Sequence, residues 1–304
     1  MRRYKTPIAL YAAGILAGLL AAASAQRAEA ETAALTPVKD NTLFQHDPND
    51  PSSSLNSNGK GNFFAAGATR SRGQLQRGLL QFDFSGIPAG AVVLPGSAAL
   101  RLYVVDAPRN DPTLTRPFWL DRLTGLAEPW GEGDSLIDMG SGAGKGTDAE
   151  AGDATWFHTQ YLPGFHDPNT FIPGGTGYWS QMGALGDPPL DPWYEFEGPL
   201  GYAGQQGEFA VLSSAGMSTD VMVDDINAWL AQPASNFGWI VIGDETVDDP
   251  DQSSKRGFAT REHETIAFRP LLTFEYEVVP EPGTLVLLAV GAAGWCLWRS
   301  RRKR

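Results

Sequence analysis

Short runs of alternating apolar and polar residues recur along the chain, separated by Gly, Pro, Asn and Asp. From Gly78 to Ser85, Leu80, Phe82 and Phe84 fall on one side and Leu79, Gln81 and Asp83 on the other. From Ser97 to Asp106, Ala98, Leu100, Leu102 and Val104 form an inward row, while Arg101 and Tyr103 face outward. A period of two marks an extended strand, because successive side chains point to opposite faces. Phe118–Leu123, Glu208–Ser213, Gly238–Gly243, Phe258–Arg261 and Pro270–Val278 also read as strands. One polar face per strand indicates antiparallel sheets solvated on one side. Many such strands with turn signals between them predict an all-β fold, an antiparallel β-sandwich or jelly roll with long loops.

One short helix interrupts this pattern. Ser218, Thr219 and Asp220 offer N-cap side chains before Val221–Leu230, and Val223, Ile226, Trp229 and Leu230 share a face at helical spacing. Gln232-Pro233 ends the run. Trp229 and Leu230 are expected to cover an end or edge of the sheets. Asp-Pro pairs at 47–48, 50–51, 111–112, 167–168, 187–188, 191–192 and 249–250 mark loops, since Asp initiates turns and Pro fixes the next φ. Residues 124–207 are poor in strand signals and rich in Gly, Pro and Trp, which predicts packed loops.

The two ends follow different rules. Residues 1–30 read as a secretory signal: Arg2, Arg3 and Lys5, then an uncharged run from Ile8 to Ala23, then small-x-small cleavage sites ending at Ala25 and Ala30. Signal peptidase is the processing enzyme this implies. At the other end, Pro280-Glu281-Pro282 precedes an apolar stretch at 284–298 and the basic tail Arg299-Ser300-Arg301-Arg302-Lys303-Arg304. The stretch predicts a membrane helix of about 22 Å, shorter than a hydrocarbon core of about 30 Å. The basic tail stays cytoplasmic, which puts the residues before Pro280 across the inner membrane.

Charge sharpens this division. The chain of 304 residues carries 23 basic and 35 acidic residues, net −12. Nine of the basic residues and only two of the acids lie in residues 1–30 and 281–304, so the stretch between holds 14 basic and 33 acidic residues, net −19. Such a body is repelled by phosphate backbones, which excludes nucleic acid as a partner. The single cysteine, Cys296, lies in the apolar tail, so neither an intrachain disulfide nor a cysteine metal site forms in the body. The expected division is a signal at 1–30, a β-rich domain at 31–279 with its loop region 124–207, and a sorting tail at 280–304.

The C-terminal order resembles the PEP-CTERM sorting signal of Gram-negative bacteria: a Pro-Glu-Pro motif, a short membrane helix and an Arg-rich end. The resemblance implies recognition by an exosortase, cleavage near Pro280, Glu281 and Pro282, and transfer to the cell surface or extracellular matrix of a bacterium that secretes exopolysaccharide. A simple tail anchor is the plainer alternative.

Three stretches of the body together resemble the DNRLRE-type domain, also described as carbohydrate-binding module family 96. The first is Asp40-Asn41-Thr42-Leu43, with Asn56-Ser57-Asn58-Gly59 and Arg77-Gly78-Leu79-Leu80-Gln81-Phe82-Asp83. The second is Trp130-Gly131-Glu132-Gly133 with Gly152-Asp153-Ala154-Thr155-Trp156. The third runs from Asp220 through Trp229, Asn236-Phe237-Gly238-Trp239 and Phe258-Ala259-Thr260-Arg261-Glu262 to Arg269-Pro270-Leu271-Leu272. The resemblance implies a jelly-roll sandwich in a surface or secreted protein linked to polysaccharide.

The chemistry-bearing residues point away from catalysis. His46, His158, His166 and His263 form no HExxH pattern, and no GxSxG, phosphate-binding or dinucleotide fingerprint is present. Arg261-Glu262-His263-Glu264 places acids beside a histidine, but on a strand they face opposite ways, which predicts a solvated surface. The expectation is a non-catalytic protein associating with exopolysaccharide; a polysaccharide-active hydrolase or lyase and a purely structural matrix protein are the alternatives. Aromatic platforms would carry sugar binding, with Trp130, Trp156, Tyr178, Trp179, Trp193 and Tyr194 as candidates and Arg70, Arg72 and Arg77 as contacts to an acidic glycan. Asp244, Glu245, Asp248, Asp249 and Asp251 are candidate calcium ligands, because clustered carboxylates suit a hard cation. No other cofactor is expected.

Overall fold

The computed structural model describes residues 29–45, 55–69, 74–108, 115–124, 126, 129–137, 146–162, 199–213, 215–217, 220–245 and 253–278, with positions 291, 292, 294, 295, 298 and 299 of the tail. Fourteen strands are described: β1 (Glu31–Leu35), β2 (Pro37–Phe44), β3 (Asn56–Ser57), β4 (Phe63–Ala68), β5 (Leu75–Phe82), β6 (Ala91–Val93), β7 (Ala99–Asp106), β8 (Arg116–Arg122), β9 (Thr147–Asp148), β10 (Gly201–Ala203), β11 (Phe209–Ser213), β12 (Trp239–Ile242), β13 (Arg256–Ala259) and β14 (Leu271–Val278). Helix α1 spans Val221–Ala231. Among the described residues every strand pairing is antiparallel, as the alternation predicted.

Twelve strands form one sheet along the path β1-β14-β7-β13-β4-β5-β12-β8-β10, with β11 on β7, β2 on β5 and β6 on β14. The sheet forks at β7. There Leu271–Thr273 of β14 pair with Ala99–Arg101, while β13 pairs with Val104 and Asp106. Inward residues from distant points on the path meet in one core: Phe64, Leu80, Leu100, Phe118, Val241, Phe258 and Leu272. A sheet whose far strands share one core must curl around it. The fold is therefore mostly β, an antiparallel curled sheet with one helix packed against it.

The inward row read from the sequence of β7 is fully buried, and Arg101 and Tyr103 are only half-buried. Helix α1 begins where the N-cap signal placed it: Asp220 Oδ1 accepts a hydrogen bond from Val223 N. Its buried face holds Met222, Val223, Ile226 and Trp229. Trp229 meets Trp239 at 4.7 Å between ring centroids and Phe84 at 5.7 Å, so the helix closes the core.

The expectation of one solvated face fails at the middle of the sheet. Leu43, Leu79, Ile240 and Ile242 point away from the main core and pack with Leu123, Leu126, Trp130, Ala154 and Trp156 in a second core. Segments from the supposed loop region thus cover the outer face of β2, β5 and β12. This explains the absence of alternation in β12, where Trp239 and Val241 face one core and Ile240 and Ile242 the other. Strand β4, FFAAGA, is buried throughout and escaped the period-of-two test for the same reason.

Asp225 of α1 is buried, accepts a hydrogen bond from Trp239 Nε1 at 2.7 Å and lies 3.3 Å from Arg122 Nε. Burial pushes its carboxyl up to about 6, against the downward pull of Trp239 and Arg122. The native state thus holds this proton more tightly than the unfolded chain. Its stabilising contribution is complete below the unfolded value of 3.8 and is lost as pH rises toward 6. Asp225→Asn is expected to flatten this dependence, gaining up to about 3 kcal/mol on the wild type between roughly pH 4 and pH 7. Urea unfolding of both proteins at the two pH values checks it; an unchanged difference would mean that Asp225 does not titrate there.

Among the described residues no helix is long and apolar enough to cross a membrane. The membrane helix expected at 284–298 thus has no counterpart there; positions 291, 292, 294, 295, 298 and 299 are helical, and the rest of that stretch lies outside the described residues. The seven Asp-Pro pairs also lie outside them, as do Ala25 and the Pro280-Glu281-Pro282 motif, while Ala30 is exposed just before β1.

Candidate functional site

Three carboxylates far apart in sequence converge at one edge of the second core. Asp40 comes from β2, Glu132 from the segment after Trp130, and Glu262 from the turn after β13. One carboxylate oxygen from each lies within 4.8 Å of the others. Glu262 is therefore not the solvated strand residue that the sequence predicts. Strand β13 ends at Ala259, Arg261 and Glu262 occupy a turn, and the turn aims Glu262 inward.

The backbone of the 130s is built for close approach. Gly133 has φ +71°, and a Cβ there would lie 1.5 Å from Asp153 Oδ1. A Cβ on Gly131 would lie 1.9 Å from the carbonyl oxygen of Gly152. Only glycine at these positions lets the segment lie against residues 152–153 and present Glu132 to β2. Asn41 locks the contact from the other side: its Nδ2 donates to the Glu132 carbonyl at 3.1 Å, and its Oδ1 accepts from Ser57 Oγ and Asn58 N, both at 3.0 Å.

Glu132 is saturated with donors. Its Oε1 accepts from Asp40 N at 3.1 Å and Arg261 Nε at 2.8 Å. Its Oε2 accepts from Arg261 Nη2 at 2.5 Å and Lys60 Nζ at 2.9 Å. Burial pushes its carboxyl up, but the bonds from Arg261 and Lys60 outweigh burial and hold it below the usual range. Asp40 is the opposite case. It is fully buried, and burial together with the nearby Glu262 charge raises its carboxyl well above the usual range. Its Oδ2 accepts from Arg261 N at 2.9 Å, but its Oδ1 is buried without a partner. Glu262 repeats the pattern: burial raises its carboxyl, Oε1 lies 2.9 Å from Arg261 Nη2, and Oε2 is buried and unpartnered.

A second feature lies where β7 meets the segment before β11. A groove of about 340 Å³ is lined by Asn62, Tyr103, Val104, Val105, Gln206, Gly207 and His263. Beside it Tyr103 stacks on Phe268 with ring centroids 3.7 Å apart, and Phe209 meets Tyr103 edge-on at 5.0 Å. The Arg101 guanidinium sits 4.7 Å over the Phe209 ring. Phe209 is 45% exposed, and with Tyr103 and Phe268 it forms an aromatic ledge beside the groove.

The residues singled out from sequence fall elsewhere. Trp130 and Trp156 are 1% exposed and form the second core, so neither offers a ring face to solvent. Trp130 Nε1 donates to the Phe237 carbonyl at 2.7 Å. Arg77 is buried over the Trp156 ring and pairs with Glu245 through two bonds of 2.7 and 2.8 Å. Asp244 pairs with Arg116 at 3.1 Å. Tyr178, Trp179, Trp193, Tyr194, Arg70, Arg72, Asp248, Asp249 and Asp251 lie outside the described residues. Sequence reasoning proposed neither the carboxylate cluster nor the Tyr103 groove. Yet Asp40, Glu132 and Glu262 each belong to a different one of the three body stretches that the sequence singles out, and those stretches meet in space.

Comparison with known families decides one point. Residues 278–303 match the PEP-CTERM protein-sorting motif. The PEP-CTERM motif implies export and processing by an exosortase, with a surface or extracellular destination. The match begins where β14 ends and leaves the β-rich body unassigned. No curated protein matches the chain.

Proposed function

We propose that this chain is a non-catalytic protein of the cell surface or extracellular matrix, delivered by its sorting tail and retained there by exopolysaccharide. The observation that carries the reading is the PEP-CTERM motif at 278–303. In this reading signal peptidase removes the N-terminal segment after Ala25 or Ala30. The stretch 284–298 holds the chain briefly in the inner membrane, and an exosortase cuts near Pro280-Glu281-Pro282. The curled sheet serves as a jelly-roll sandwich.

The groove beside Tyr103 is the place for a glycan. An aromatic ledge supplies a face for the apolar side of a sugar ring, and Asn62, Gln206 and His263 supply hydrogen-bonding groups at the rim. The carboxylate cluster supports a non-catalytic reading. Asp40 does not reach solvent, and Arg261 bridges Glu132 and Glu262, where glycoside cleavage would need an open gap of about 5 to 9 Å between acid and base.

Replacing Pro280, Glu281 and Pro282 by alanine is expected to leave the uncut chain in the inner-membrane fraction, while the wild type appears shortened outside it. Phe209→Ala with Gln206→Ala is expected to lower retention on the producer's exopolysaccharide at least about tenfold, as loss of an aromatic anchor does. Normal processing of the first variant would reject the sorting route. Unchanged retention of the second would reject the groove and favour a matrix protein that binds no sugar.

A further inference from the structure

We propose that the cluster of Asp40, Glu132 and Glu262 is a site for one divalent hard cation, with calcium as the fitting ion. The proposal is independent of the glycan groove and of the acidic residues at 244–251. Its basis is two buried carboxylate oxygens in one cluster, Asp40 Oδ1 and Glu262 Oε2, that no donor among the described residues satisfies. Buried polar atoms without partners are rare, and an anionic oxygen left so is costlier than a neutral one. Two such oxygens on carboxylates of one cluster point to a missing positive ligand.

The geometry admits one. Oxygens bound to the same calcium lie at most about 5.2 Å apart, given metal–oxygen distances of about 2.3 to 2.6 Å. The three acidic groups meet this limit, with an oxygen of each within 4.8 Å of the others. All donors are oxygen, which selects a hard ion over zinc or copper.

The charges leave room for it. Arg261 and Lys60 contact Glu132, and Arg261 also reaches Glu262 with its guanidinium and Asp40 with its backbone N–H. Lys39 points its ammonium to the Trp130 carbonyl at 2.8 Å. Arg261 and Lys60 offset two of the three negative charges directly at the cluster and are both spent on bonds that leave Asp40 Oδ1 and Glu262 Oε2 open. Glu132 therefore acts as the charged back wall, and the two open oxygens act as the primary ligands. The bound ion would tie β2 to the turn after β13, joining the two ends of the domain.

Isothermal calorimetry and thermal unfolding of the full-length protein, first stripped with chelator and then given calcium chloride, test this. One calcium per chain is expected, with a melting temperature raised by about 5 to 10 °C at a hundredfold excess over Kd. Glu262→Gln, at a turn position where the side chain is 21% exposed, is expected to stay folded and to weaken binding at least about tenfold; Asp40→Asn should do the same. Asp248→Asn with Asp249→Asn should leave binding unchanged. Absence of binding heat in the wild type overturns the site. So does binding that survives Glu262→Gln but is lost with Asp248→Asn and Asp249→Asn. A wild type indifferent to calcium, with Asp40→Asn at least as stable, would also overturn it, because the open oxygens would then share a proton.

Discussion

Glu132→Ala is expected to lower the unfolding free energy by about 3 to 5 kcal/mol, the cost of breaking a buried pair from one side. Glu132 is 8% exposed and accepts four hydrogen bonds, two of them from Arg261. Lys60 is more than a third exposed and contributes little of this. The larger part comes from Asp40 N, left buried without an acceptor, and from Asp40 and Glu262, left facing each other with Arg261 alone between them. Glu132→Gln keeps an acceptor for Asp40 N and loses the charge, so its cost should fall to about 1.5 to 3 kcal/mol. Urea unfolding in the presence of chelator measures both without interference from bound metal, and an unchanged m-value would confirm that the folded state kept its extent. A loss below about 1 kcal/mol for the alanine variant would mean that the network is held by its backbone contacts and not by the carboxylate.

Trp239→Ala should cost a similar amount, about 3 to 5 kcal/mol, through a different mechanism. The indole is fully buried against Trp229 at 4.7 Å and Phe82 at 5.9 Å. Strand β12 is hydrogen-bonded to β5 on one side and β8 on the other, so its backbone cannot move in to fill the gap. The cavity therefore persists, which places the cost toward the upper end of the range. Asp225 also loses the indole donor at 2.7 Å. Trp239→Phe keeps much of the volume and loses that donor, so the difference between the two variants separates packing from hydrogen bonding. Thermal unfolding followed by near-ultraviolet circular dichroism reads both. Equal losses in the two variants would show that the hydrogen bond, not the cavity, dominates.

The clearest elements in the sequence were those with one buried face, although β5, β12 and β13 were also read as strands and are buried on both faces. β7, β8, β11 and β14 alternate because water lies on one side of them, and α1 announces itself by an N-cap and a 3.6-residue apolar row. β2 and β4 were missed because burial on both sides erases alternation. The polar run Asp40-Asn41-Thr42 shows no alternation of apolar and polar residues, yet all three side chains are buried and spend their polarity inside the protein. Trp130 and Trp156 were recognisable as important aromatics, but sequence carries no sign of whether a Trp faces a sugar or a second core.

The C-terminal sorting motif was determined by sequence alone: a Pro-Glu-Pro motif, a short apolar run and a basic tail are local features of contiguous residues. The antiparallel β character was determined there too, since it follows from a two-residue period. Only the tertiary structure decided that the sheet curls around one core and carries a second on its back. It alone placed Asp40, Glu132 and Glu262 together, for they are separated by 92 and 130 positions and meet through strand pairing and a turn. A cluster built from long-range contacts leaves no periodic trace in the chain, because each residue obeys the local rules of a different segment.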